Sequence, residues 1–223
     1  MPRITWDEPG DRKYYTGLDR GVLYPQLSGG VPWNGLVSVT SGQSREVKPY
    51  YMDGIKFLDH EVLGEWQGKL SAFTYPDILD ELVGVYACAP GVFTHDQPSK
   101  TFNLSYRTRV GNDVDGDEAG HLVHILFNLR AVPDDVTHTT KGAQTDPLLF
   151  GWTLTSTPPA VSGLRPTSHI SIDVTQLSSP RLALLETILY GDESQAPRLI
   201  GNDISSFLEL MGCGGGGGDG GSS

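Results

Sequence analysis

Cysteine is nearly absent from this 223-residue chain, with Cys88 and Cys213 its two examples. No disulfide framework can be built from them, so a protein made and folded in a reducing cytoplasm is expected. Long apolar runs are missing as well. Leu122–Val132 is interrupted by His124, Asn128 and Arg130, and Met1–Glu8 has no apolar stretch, so neither a membrane span nor a signal peptide is expected. Basic residues are scarce: 16 Lys and Arg stand against 27 Asp and Glu, a formal charge of −11. That balance argues against binding to a phosphate backbone, which draws its affinity from cations displacing condensed counterions. No Gly-x-Ser-x-Gly elbow, Walker loop, dinucleotide fingerprint or basic aromatic patch occurs.

What the chain has is punctuation. Its 28 Gly and 15 Pro suit many short elements joined by turns and not a helical bundle. A chain of this length can bury roughly 70% of the surface it exposes when unfolded, so a substantial core is expected. Val37 and Val39 alternate with polar residues, and Tyr51–Phe57 reads as a turn entering a strand. Trp66, Gly68, Leu70 and Ala72 share one strand face, and Phe102, Leu104 and Tyr106 share another, opposed by Asn103, Ser105 and Arg107. Val123, Ile125, Phe127 and Leu129 form one face of a strand whose other face, with Leu122, His124 and Leu126, is too apolar for open water. That strand is expected to be central or covered. Trp152 and Leu154 alternate with threonines, and Ile170, Ile172 and Val174 with His169, Ser171 and Asp173.

The period turns helical at Leu182, Leu185, Glu186 and Leu189, with Ser179 as N-cap, Pro180 at the first helical position and Gly191 just past the end. A second short helix is expected over Asn202–Met211. Ala131–Pro147 is polar and too long for a tight hairpin, a length that usually marks function or disorder. The fold class expected is mainly β (α+β): an antiparallel β-sandwich or barrel flanked by one or two short helices. One domain covers residues 1–211. Residues 212–223, Gly and Ser apart from Cys213 and Asp219, form a flexible tail with nothing to pack.

Four places carry residues of chemical interest. His169, Ser171 and Asp173 carry the residue types of a triad, but strand spacing sets neighbouring members nearly 7 Å apart along one face, where a nucleophile and its base need about 3 Å. The polar face of a strand is the better reading. His121 and His124 fall on opposite faces of a strand and lack a third ligand, which makes zinc a poor fit. Cys88, in the apolar run Val83–Pro90, reads as a small buried thiol. The acidic turn Asn112–Glu118 offers Asp113, Asp115 and Asp117 as a weak calcium site, but an EF-hand read from Asp113 places Glu118 where glycine is needed and His124 at position twelve. A solvated hairpin turn is preferred, with Arg107 and Arg109 close enough to neutralise it. No catalytic residue, cofactor site or enzyme activity is expected.

Tyr50–Lys56, Phe102–Asp113, Gly120–Pro133 and Phe150–Pro159, taken together, carry a family likeness. From about Trp6 to Met211 the chain resembles the major tail protein of long, non-contractile-tailed phages infecting actinobacteria. The resemblance implies a structural virion protein, made in the host cytoplasm, that self-assembles into hexameric rings. Stacked with other tail proteins, these form the tube through which DNA passes unbound, without contact with a membrane. The long loop would reach a neighbouring ring, and an acidic lumen, drawn from residues such as Asp53, Asp59, Glu61, Glu65 and Asp173, would repel the duplex. Two alternatives stand beside it: a distal or minor tail protein, and a monomeric carbohydrate-binding β-sandwich using Trp33, Trp66 and Trp152 as stacking faces.

Overall fold

The computed structural model describes residues 6–26, 28–140, 147–199 and 204–213. In chain order the elements are β1 (Tyr14–Pro25), β2 (Val31–Trp33), β3 (Leu36–Met52), β4 (Ile55–Ala72), α1 (Ile78–Leu82), β5 (Tyr86–Ala89), β6 (Val92–Thr94), β7 (Phe102–Asn112), β8 (Gly116–Pro133), β9 (Phe150–Ser156), β10 (His169–Asp173), α2 (Ser179–Tyr190) and α3 (Ile204–Leu210). The architecture is mainly β and antiparallel with a few short helices, as expected. Among the described residues no helix is long and apolar enough to cross a membrane.

One sheet runs β2-β1-β7-β8-β9-β4-β3. Its terminal strands β2 and β3 are joined by the two residues Asn34 and Gly35, so the sheet curls until its ends meet at that corner. Phe73 N donates to Gly35 O and Trp33 Nε1 to Thr74 O, both at 2.9 Å, which fastens the seam. Gly21 permits the approach: a Cβ there would stand 2.2 Å from Leu36 Cδ1. The interior of the curl is a single core to which Leu23, Trp33, Trp66, Leu70, Leu104, Leu126, Trp152 and Leu154 contribute from six strands, closed at one end by Leu79 and Leu82 of α1.

A second core lies on the outer face. Val22 and Tyr24 of β1 and Val123, Ile125 and Phe127 of β8 are covered by Leu185 and Leu189 of α2 and Ile204 and Phe207 of α3. Tyr24 Oη donates to Leu189 O at 2.7 Å and pairs with Ser105 Oγ at 3.0 Å, binding strand to helix in the dry layer. Asn103 and Ser105 are therefore buried, not wet as their alternation with Phe102 and Leu104 implied. The helix starts one residue earlier than expected, with Ser178 as N-cap, and ends at Gly191 with φ of 77°. Of the second helix, Ile204–Leu210 is observed, while residues 202 and 203 lie outside the described residues.

β8 is the spine of the sheet, and it forks. Its later half pairs with β9 (Leu129↔Ser156), its earlier half with β10 (Leu126↔His169). At the fork Asn128 adopts φ of 52°, its N donating to Asn103 Oδ1 at 2.8 Å. Three residues of β8 there face two of β7, so the face flips. Leu129 consequently joins the interior core instead of sharing the outer face with Phe127.

Candidate functional site

β3 and β4 are far longer than the sheet that holds them. β4 pairs with β9 from Trp66 to Ala72; among the described residues it pairs from Glu65 outward with β3 alone, and β3 pairs with β4 alone throughout. Residues 43–65 thus form a two-stranded arm leaving the barrel. Ten residues at about 3.3 Å each carry it roughly 33 Å. Its turn is Asp53-Gly54 with both φ positive, 52° and 77°, the Asp-Gly chemistry that closes a two-residue hairpin.

The arm concentrates apolar surface in water. Val47, Tyr50, Tyr51, Met52, Ile55, Phe57 and Leu58 are all exposed, Ile55 at 72%. Charged neighbours interleave them: Arg45 Nη1 lies 3.2 Å from Glu61 Oε1, Lys56 Nζ lies 2.7 Å from Asp59 Oδ2, and the Tyr50 and His60 rings meet edge to face at 6.4 Å. Such exposed ion pairs contribute little stability. A two-stranded ribbon is marginal by itself and both of its edges invite another strand.

At the root of the arm four strands are linked through side chains. Ser41 of β3 lies beside the Tyr106 hydroxyl of β7, and the Tyr106 ring stacks on His124 of β8 at 4.8 Å. His124 Nδ1 lies 3.1 Å from His169 Nε2 of β10, and its Nε2 lies 3.0 Å from Thr108 Oγ1. Burial, with His169 adding to it, pushes the His124 pKa down to about 4, and burial lowers His169 too. An open cleft of about 210 Å³, lined by Ser41, Gln43, Trp66, Pro158, Pro166 and His169 among others, lies between the arm root and β10.

The structure disperses most of the sequence candidates. His169 turns to His124, while Asp173 Oδ1 accepts from Thr175 N at 3.0 Å and from Thr175 Oγ1 at 2.7 Å, so His169, Ser171 and Asp173 form no relay. His121 lies on the opposite face of β8 from His124, beside Arg107. The three carboxylates of the acidic turn face different donors. Asp113 accepts from Gly10 N at 2.9 Å, Asp115 from Asn112 Nδ2 at 2.9 Å and Asp117 from Tyr14 Oη at 2.8 Å. Among the described residues no three His, Cys, Asp or Glu side chains are grouped to hold a metal.

Other expectations are corrected. Trp33, Trp66 and Trp152 are 3–4% exposed and packed inside the barrel, Trp33 against Trp152 edge to face at 5.6 Å, so none offers a stacking face to a sugar. Cys88 is exposed on the small β5–β6 hairpin, not buried. Arg107 and Arg109 neutralise Asp19 of β1, not the acidic turn: Arg107 holds its carboxylate at 2.6 and 2.8 Å, and Arg109 Nε lies 3.3 Å away. The Arg107 hydrogen bonds keep the Asp19 pKa below its ordinary value. Of the polar loop expected at 131–147, residues 131–133 belong to β8, 134–140 are exposed coil with Asp134 Oδ1 accepting from Thr153 Oγ1 at 3.0 Å, and 141–146 lie outside the described residues.

No protein-family model matches the chain, and no curated protein matches it. Several solved structures are similar to parts of it. A chain of the sheath-tube complex of an extracellular contractile injection system (PVC), in the extended state, is 13% identical over 69% of this chain and 88% of its own, with a TM-score of 0.37. A chain of the sheath/tube terminator of such a system is 13% identical over 76% and 99%, at 0.34. A chain of the anti-feeding prophage baseplate is 9% identical over 78% and 100%, at 0.33. Scores of this size do not establish a common fold.

Proposed function

We propose that this chain is the major subunit of a phage tail tube, a structural virion protein whose copies close into rings, six to a ring, and stack into the conduit for the genome. The observation that carries the reading is the arm. A folded body with two complete cores carries beside them a ribbon that is marginal alone, apolar on its surface and open at both edges. Such a ribbon fits a neighbouring copy, where its edges and side chains find partners. Contact of one surface patch with a different patch on the next copy is head-to-tail, the geometry that closes rings when the rotation is right and otherwise propagates.

The arm replaces the loop at 131–147 as the element that reaches a neighbour. In this reading residues 1–211 act as one unit; of the tail expected at 212–223, residues 214–223 lie outside the described residues. The net charge of −11 suits a wall past which DNA slides without binding. Asp59 and Glu61 are already paired with Lys56 and Arg45, so Asp53 and Glu65 are the arm carboxylates left to contribute repulsion. No catalytic step belongs to this reading.

The test is electron microscopy of concentrated purified protein. Rings and tubes are expected from the full chain, and a folded, monodisperse monomer from a variant in which residues 46–62 are replaced by a short Asn-Gly turn. A full chain that stays monomeric at high concentration, or a truncated arm that polymerises normally, overturns the reading.

A further inference from the structure

The fork in β8 leaves two branches that, among the described residues, no backbone hydrogen bond joins: β9, β4 and the arm on one side, β10 with α2 on the other. Side chains cross the gap at two points: the Ser156 and Ser168 hydroxyls, 2.8 Å apart, and a line from Tyr106, beside Ser41, through His124 to His169. The hydrogen count along it is fixed by chemistry. Two imidazole nitrogens 3.1 Å apart share one hydrogen, so one donates and the other accepts. A first proton fits, because a cationic His124 donates from Nδ1 to His169 Nε2 and from Nε2 to Thr108 Oγ1. A second proton does not fit, since it sets two N–H groups face to face inside a partly buried site.

We propose that the His124–His169 pair is an acid-opened clasp, which when neutral joins the Ser156–Ser168 bond in tying the root of the arm to the helix-bearing strand and when doubly protonated gives way.

Among the described residues no carboxylate is paired with either imidazole to counter the second charge. Tyr106 and Thr108 of β7 face His124 and are neutral. From β3 comes Ser41. On β10 Ser171 lies opposite His124, and Asp173, farther along the same face, has its Oδ1 bound to Thr175. Arg107, Asp19 and His121 belong to the other face of the sheet. The sign follows from linkage. Both imidazoles are held below their ordinary value of 6.5 in the fold, so the unfolded chain binds more protons in the window beneath it. The clasp's contribution is therefore complete above pH 6.5 and is lost as the pH falls toward about 4. The clasp is a property of the single subunit. Its effect on assembly, a change in how the arm is presented to the next copy, rests on the tube reading.

Hydrogen exchange of the full chain as a dilute monomer, compared at pH 7.5 and 4.5 after correction for intrinsic rates, tests it. Amides of residues 169–173 and 36–44 should lose protection together, by tenfold or more, the factor carried by one unit of pKa depression. His169→Gln, which keeps one hydrogen bond and cannot titrate, should reduce that response to under twofold. In parallel, proton NMR of the wild-type imidazoles should show the second protonation of the pair well below 6.5 and coincident with the loss of protection. Protection unchanged by acid, an equal acid response in His169→Gln, or two independent titrations near 6.5 would each overturn the clasp. An acid response in a monomer that never forms tubes keeps the clasp and removes the tube reading, so the two fail separately.

Discussion

The arm is the continuation of two strands of the body, β3 and β4, and the two regions obey opposite rules. In β4, Trp66, Leu70 and Ala72 are 0–4% exposed and point into the barrel, whereas Ile55, Phe57 and Leu58 farther out on the same strand are 44–72% exposed. Nothing in the local conformation differs between them. The difference is the second neighbour: β3 flanks both stretches, but β9 lies against the first alone, and among the described residues no other strand lies against the second. Apolar content therefore measures stability in the body and contact potential in the arm.

The sharpest way to break this contrast is to cut a large side chain from each region. Phe127, fully buried between the sheet and α3, should cost about 3–5 kcal/mol on replacement by Ala, read from urea denaturation. Next in size is the seam. Gly21→Val forces a side chain against Leu36 and should cost about 1–3 kcal/mol, with loss of cooperativity at the β2–β3 corner seen by hydrogen exchange.

Asp19→Asn leaves Arg107 without its carboxylate and should cost about 1–3 kcal/mol at neutral pH. Because the native carboxyl is held below its ordinary 3.8, its contribution is complete above that value and is lost as the pH falls beneath it. The wild type should thus lose stability at acid pH more steeply than the variant, which a set of denaturation curves from pH 5 to 2 will reveal. The smallest change in stability belongs to the arm. Ile55→Ser and Phe57→Ser should each stay within about 0.5 kcal/mol of wild type while abolishing polymerisation in light scattering. A stability loss comparable to that of Phe127→Ala would mean that the arm packs on its own body.

The body was legible because period-two alternation beside a wet or dry face leaves a direct trace: Trp66, Gly68, Leu70 and Ala72 read as they stand. The arm was not, because Tyr50, Tyr51, Met52, Ile55, Phe57 and Leu58 look like core whether or not anything covers them. β1 was missed entirely. Its Gly17, Asp19, Arg20 and Gly21 sit among two register shifts, which erase the alternation and hid Asp19 as the partner of Arg107. Leu129 was assigned to the wrong face because a bulge at Asn128 is a backbone event with no side-chain period. The histidine pair was out of reach for another reason. Residues 45 apart in sequence meet only because β10 returns to β8, and no local pattern announces that return. Cys88 was misjudged because an apolar run was equated with burial.

The two-residue turn at Asp53-Gly54 also fixes an order of events. A hairpin closed by adjacent residues forms in microseconds, whereas pairing β1 with β7 joins positions such as Asp19 and Arg107, 88 residues apart, and must await most of the chain. The ribbon can therefore close and reopen before the barrel that will carry it has formed, on a nascent chain whose own core is still open. Arg45, Lys48, Lys56 and Glu61, which add little to the finished fold, are placed along its strands as gatekeepers for that interval. They let a sticky element be synthesised early and remain soluble until the rest of the molecule has closed behind it.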